Sequence, residues 1–204
     1  MAASMAGSGH LLAQNDYANV NIQTVPVSGN ISMLIGAGGN IGVSAGDDGV
    51  LIIDDQFAPL ADKIRAAIAE LGSDTPQFLL NTHFHGDHTG GNADFGMNSI
   101  IIAHENVRGR LIAGNSPASA LPVVTFDDDV TVHFNGEDIT LIHMPAGHTD
   151  TDSVVMFSGS NVIHMGDHFF NGGFPFVDLA NGGTVQGYLS NLEKALSWIA
   201  DDTS

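Results

Sequence analysis

The 204-residue sequence contains no cysteine, which excludes disulfides and thiolate metal ligands and leaves the redox compartment open. Cations are nearly as scarce: 5 Lys and Arg stand against 23 Asp and Glu, a formal net charge of −18. A surface this acidic repels phosphate backbones, so no nucleic acid is expected among its partners. No apolar run approaches the roughly 20 residues needed to cross a bilayer, so no membrane association is expected and the chain reads as soluble. Met1 to His10 are small and uncharged, without a basic stretch followed by a continuous apolar one. Residues 1–15 are therefore read as a disordered arm or an expression remnant, not an intact signal peptide. A signal already removed would leave the same residues, and a periplasmic or secreted location is expected ahead of a cytoplasmic one.

What remains is apolar enough, at 43%, for one domain with a sizeable core over residues 16–204. Its first half reads as short strands between glycine turns: 20–27, 31–35, 41–44 and 50–54. Leu60, Ile64, Ala67, Ile68 and Leu71 recur with a helical period over 59–71. The runs 78–81 and 100–103 are apolar throughout, as strands covered on both faces are. A helix is expected over 104–111, and hairpins around Asn135-Gly136 and Gly159-Ser160-Asn161. An amphipathic helix over 185–199 closes the chain. Composition and order give α/β or α+β.

The most informative stretch is Thr82-His83-Phe84-His85-Gly86-Asp87-His88-Thr89-Gly90-Gly91-Asn92. It sets four potential metal ligands within six residues, directly after an apolar strand. A strand running into a turn can aim His83, His85, Asp87 and His88 at one point, because alternate residues share a face. Imidazole and carboxylate donors suit zinc and similar divalent ions. The expectation is a metal site.

These residues resemble the His-x-His-x-Asp-His signature of the metallo-β-lactamase superfamily of hydrolases, and further landmarks follow in order. Val50-Leu51-Ile52-Ile53-Asp54 resembles the early strand whose Asp supports the ligand loop, with Asp55 an alternative for that role. Pro145-Ala146-Gly147-His148-Thr149 resembles the motif that supplies another histidine. Ile163-His164-Met165-Gly166-Asp167 resembles the strand that leads to a metal-bridging Asp. The resemblance implies an α+β, four-layer αββα sandwich. It also implies a metal held by His83, His85 and His148, and a second by Asp87 and His88, with Asp167 bridging. The cofactor would be one or two zinc ions, with iron or manganese as alternatives. A zinc-bound hydroxide would attack a small-molecule carbonyl, with Asp87 orienting it. Asn181 is a candidate oxyanion donor.

Family members usually add a strand and a Gly-His-Gly-like turn after the last helix. That turn is absent before Ser204. The expectation is a domain incomplete at its C-terminus, a weak second metal site, and a complementing C-terminal segment as a possible partner. His168 is a minor candidate to fill the gap, with a hydrogen-bonding role preferred. His164 is expected on the face opposite Asp167, and His10, His104, His133 and His143 carry no motif. The aromatic, glycine-rich stretch 169–176 is either core or a wall over the site. No Lys or Arg lies between Leu111 and Glu193 to grip a substrate carboxylate, which disfavours an efficient β-lactamase. The functions implied are a β-lactamase-like hydrolase of a β-lactam, lactone, ester or thioester, or a glyoxalase II-like thioesterase. A di-iron oxidoreductase and a crippled metal-binding homologue are the remaining readings.

Overall fold

A computed structural model describes residues 17–199 and 203–204; the arm over residues 1–15 and His10 lie outside them. A sheet of 7 strands runs in simple order: β1 (Gln23–Ser28), β2 (Ile31–Ile35), β3 (Ile41–Gly46), β4 (Gly49–Ile53), β5 (Phe78–Asn81), β6 (Ile100–His104) and β7 (Val124–Phe126). The first four pair antiparallel, and β4 to β7 pair parallel. A second, antiparallel sheet of 4 strands has the order β11 (Val162–His164), β10 (Ser153–Phe157), β9 (Glu137–His143), β8 (Asp129–Phe134). The helices are α1 (Ala61–Ala69), α2 (Gly86–Thr89), α3 (Asn92–Phe95), α4 (Glu105–Ala113) and α5 (Val185–Leu196).

Strand alternation builds the layers. Val50 and Ile52 of β4 and Leu79 of β5 point to α1, where they pack with Leu60, Ile64 and Ile68. Leu51, Ile53 and Leu80 point the other way and meet Leu141, Val155 and Phe157 of the second sheet. Val154, on the far face of β10, packs with Met144 and with Ala195 of α5. The result is helix, sheet, sheet, helix, the αββα sandwich expected from the resemblance.

The functional edge lies where β4, β5, β9 and β11 all end. Ser153 donates its backbone N–H to the Thr82 carbonyl at 2.7 Å, joining the two sheets there. Asp54, just past β4, adopts φ +63, and Gln56 φ +56. Left-handed backbone is uncommon outside glycine and costs energy that the surroundings must offset. Here it turns the Asp54 carboxylate back beneath the histidine loop. The strand expected to end at Asp54 thus ends one residue earlier, so that the carboxylate can face the site.

Candidate metal centre

Asp54 is fully buried and organises the loop after β5. One oxygen accepts the Thr82 N–H at 2.8 Å; the other accepts the Thr82 hydroxyl and His88 Nδ1, each at 2.7 Å. Asp55 accepts the Gly91 N–H at 2.8 Å, tying down the turn that follows the histidines. Asp54 therefore takes the supporting role, and Asp55 braces the turn.

Four side chains converge at the edge. The donor atoms of His83, His85, His148 and Asp167 all lie within 4.8 Å of one another. His85 Nδ1 stands 3.2 Å from His83 Nε2 and 2.9 Å from His148 Nε2. Asp167 Oδ2 is 3.4 Å from His148 Nε2 and 4.0 Å from His83 Nε2. The other Asp167 oxygen is 3.1 Å from His88 Nε2, which is itself 3.7 Å from Asp87 Oδ2. Asp167 thus stands between the three-histidine cluster and the Asp87–His88 pair.

The far nitrogen of each imidazole settles its tautomer. His148 Nδ1 meets the Phe176 carbonyl at 2.8 Å, and His85 Nε2 meets Asp178 Oδ2 at 2.9 Å. Both partners only accept, so both nitrogens carry the proton. The Thr82 hydroxyl, already donating to Asp54, accepts from His83 Nδ1 at 3.0 Å. The three inward nitrogens are left with lone pairs, two of them 2.9 Å apart. Lone pairs at that separation repel unless a cation or proton lies between them. His88 Nε2 is also buried, with the carboxylates of Asp167 at 3.1 Å and Asp87 at 3.7 Å beside it. This donor set fits a divalent cation.

Electrostatics agree. Burial, reinforced by the neighbouring imidazoles, holds the His83 pKa well below its ordinary value. Burial also opposes a charged His88, but Asp54 and Asp167 outweigh it and raise that pKa well above normal. Without a metal, a proton takes the place that a cation would fill. Burial alone would raise Asp167; His88, His148 and His85 hold it low and keep it ionised.

Glycines make the close approaches possible. A Cβ on Gly39, in the β2–β3 loop, would fall 2.2 Å from His88 Cε1. One on Gly147 would fall 2.5 Å from both Asn191 Nδ2 and His168 Nε2. His168 accordingly faces α5: it bonds Asn191 at 3.0 Å and stacks on Tyr188, the hydrogen-bonding role preferred from the sequence. His164 differs from expectation. The chain leaves β11 through Gly166 at φ +50, so strand alternation stops short of Asp167. His164 and Asp167 line one cleft.

No motif in the sequence marks Asp178. Its backbone N–H binds the His148 carbonyl at 2.8 Å, which folds the following loop onto the site. Burial would raise its pKa, but Asn181 and His85 hold it low. Asn181 donates to Asp178 at 2.6 Å and accepts from Arg110 at 2.8 Å. Arg110 in turn grips Asp150 with two bonds of 2.7 Å. Asn181 therefore commits its side chain to the support of His85.

A cleft of about 610 Å³ opens beside Asp87, His88 and Asp167. Phe169 and Phe170 line it, and Phe169, Phe174 and Phe176 are exposed, so this stretch is not core and its first two rings form part of the cleft wall.

An αββα sandwich with a histidine–aspartate cluster at the shared strand ends defines a class of metal-binding protein. The match confirms it: residues 34–200 fit the family model of the metallo-beta-lactamase superfamily, and the chain belongs to that family. It is 30% identical over 132 residues to the alpha subunit of 2,4-dinitroanisole O-demethylase from Nocardioides sp. strain JS1661, covering 62% of this chain and 40% of that one. It is 30% identical over 128 residues to hydroxyacylglutathione hydrolase from Polaromonas sp., covering 61% and 45%. The chain thus spans less than half the length of these two relatives. A metallo-beta-lactamase from Pontibacter korlensis shares the fold, with TM-score 0.72 and 14% identity over 87% of this chain and 86% of that one.

Proposed function

We propose that the chain is a metal-dependent hydrolase acting on the carbonyl of a small molecule. His83, His85 and His148 would hold one ion, Asp87 and His88 would offer ligands to a second, and Asp167 could serve either. Zinc suits the nitrogen-rich donor set best; when bound, it polarises a carbonyl and acidifies a water to a pKa of about 7. The chain's own residues do the rest. The outer partners of the imidazoles fix the orientation of the rings that would hold the ion, and Asp87, open to the cleft, accepts a hydrogen bond from the attacking water and aims it. The water oxygen adds to the carbonyl carbon, the bond to the leaving group breaks, and the proton passes to that group. Asn181 acts behind His85 by positioning Asp178. The observation that carries this reading is the approach of His85 Nδ1 and His148 Nε2 to 2.9 Å, in a cluster that Asp167 completes.

A thioester is the second substrate class, favoured by the likeness to hydroxyacylglutathione hydrolase. The likeness to a demethylase of 2,4-dinitroanisole adds an uncharged aromatic ether to the compounds worth testing. The test is a panel of nitrocefin, a hydroxyacyl thioester, an aryl ester and 2,4-dinitroanisole. It is assayed on the metal-free chain and after loading with zinc, manganese or iron. Turnover of at least one compound, dependent on metal and lost in His85→Ala, is expected. No turnover with any metal would overturn the hydrolase reading.

A further inference from the structure

The charge inventory of the cleft narrows the substrate. The whole sequence has 5 Lys and Arg side chains, and the structure gives each of them partners outside the cleft. Lys63 caps the carbonyls of Tyr17, Ala18 and Val20 at 2.6–3.0 Å. Arg65 binds the carbonyls of Asp74 and Asp94, and Arg108 that of Pro122. Arg110 is saturated by Asp150 and Asn181, and Lys194 lies over the Trp198 ring. None of the five lines the cleft.

Apart from the imidazoles of His164 and of His88, the latter flanked by Asp54, Asp87 and Asp167, what lines it is apolar, acidic or a neutral amide. Met33, Ile163, Met165, Phe169 and Phe170 form its walls, and the neutral amides of Asn40 and Asn171 are its polar points. Phe169 is 67% exposed, an apolar ring left open to solvent at the rim. Asp87 and Asp167 face inward from the metal side, where they offset charge brought by a bound ion. A substrate carboxylate entering this space beyond the metal side loses water and gains no Lys or Arg partner, while Asp87 and Asp167 repel it, which is costly. An alkyl or aryl group gains burial against the walls.

We infer that this cleft selects neutral, apolar carbonyl substrates, such as uncharged esters or lactones, and rejects analogues that carry a carboxylate on the group it receives. This rests on the hydrolase reading above, and the experiment separates the two. The zinc-loaded chain is assayed with p-nitrophenyl hexanoate and with the mono-p-nitrophenyl ester of adipic acid, whose acyl chain is equally long but ends in a carboxylate. We expect kcat/KM for the neutral ester to exceed that for the anionic one by about tenfold or more, the scale of an unpaired charge in a binding site. Equal rates, or a faster adipate ester, would overturn the inference.

A second measurement decides the question even if neither ester is hydrolysed. Hexananilide and the monoanilide of adipic acid are titrated into the metal-free chain and followed through the methyl resonances of Met33 and Ile163. The neutral anilide should bind about fivefold or more tightly than its anionic counterpart. Tighter or equal binding of the anion rejects the selectivity, whereas the hydrolase reading falls only if the whole panel above shows no turnover.

Discussion

His85 is the residue whose state depends most on a neighbour. Its Nδ1 can hold a metal only if Nε2 keeps the proton, and the Asp178 carboxylate at 2.9 Å ensures that it does. Asp178 is itself held by Asn181, and through it by Arg110 on α4. Replacing Asp178 with alanine frees the His85 ring to rotate and to exchange tautomers. Zinc affinity, measured by competition with a chromogenic chelator, should then fall about 10–100-fold, the usual consequence of removing a partner behind a ligand. Nitrogen chemical shifts of the metal-free chain should show His85 becoming a mixture of tautomers. Unchanged affinity and an unchanged His85 spectrum would remove Asp178 from the site.

At the scale of elements, the seam between the two sheets carries its own titration. His104 ends β6 and His143 ends β9, and their rings stack at 3.7 Å and 7°. Burial lowers the His104 pKa, with Asp127, Glu105 and Asp150 opposing; burial and the facing His104 lower that of His143, with Asp152 and Asp150 opposing and Lys194 adding to the depression. A histidine with a depressed folded pKa takes up its proton more readily once unfolded. Its contribution to stability is present above the unfolded pKa of about 6.5 and is lost as pH falls through the lower folded value. In His143→Phe the stack survives without the titrating ring. Thermal unfolding followed from neutral pH down to about 5 should show the parent losing stability relative to the variant. A constant difference in Tm across that range would contradict the linkage.

Much at this scale is legible in the sequence, because period and punctuation are local. The strands 31–35 and 78–81 follow from β-rich or apolar runs, and the observed elements have those bounds. The helix read over 59–71 divides into a 3-10 turn at Ala58–Leu60 and α1, since Pro59 sits at its start. Short elements escape: β7 has 3 residues, and α2 and α3 have 4 each, too few for a period to show. At the site, His83, His85, His148 and Asp167 are legible because each sits in a motif where a strand ends. Asp178 is not, because only the folding of residues 169–183 over the His148 turn brings it to His85. His164 is not, because the left-handed Gly166 breaks the strand alternation that would set it opposite Asp167.

At the scale of the whole molecule, two sheets meet so that loops from β4, β5, β9 and β11 share one edge. A divalent ion there would tie together residues 83, 85, 148 and 167, which lie on both sheets. Binding to the folded state alone also stabilises that state by mass action. The central claim is that this edge is a metal centre, and it is tested most directly by zinc stoichiometry. The metal-free chain and His85→Ala are titrated with zinc against a chelator, and retained metal is measured by elemental emission after dialysis. The parent should retain at least one equivalent of zinc per chain, and His85→Ala should lose at least one while remaining folded. Full retention of zinc by folded His85→Ala would contradict the metal centre drawn from these four residues.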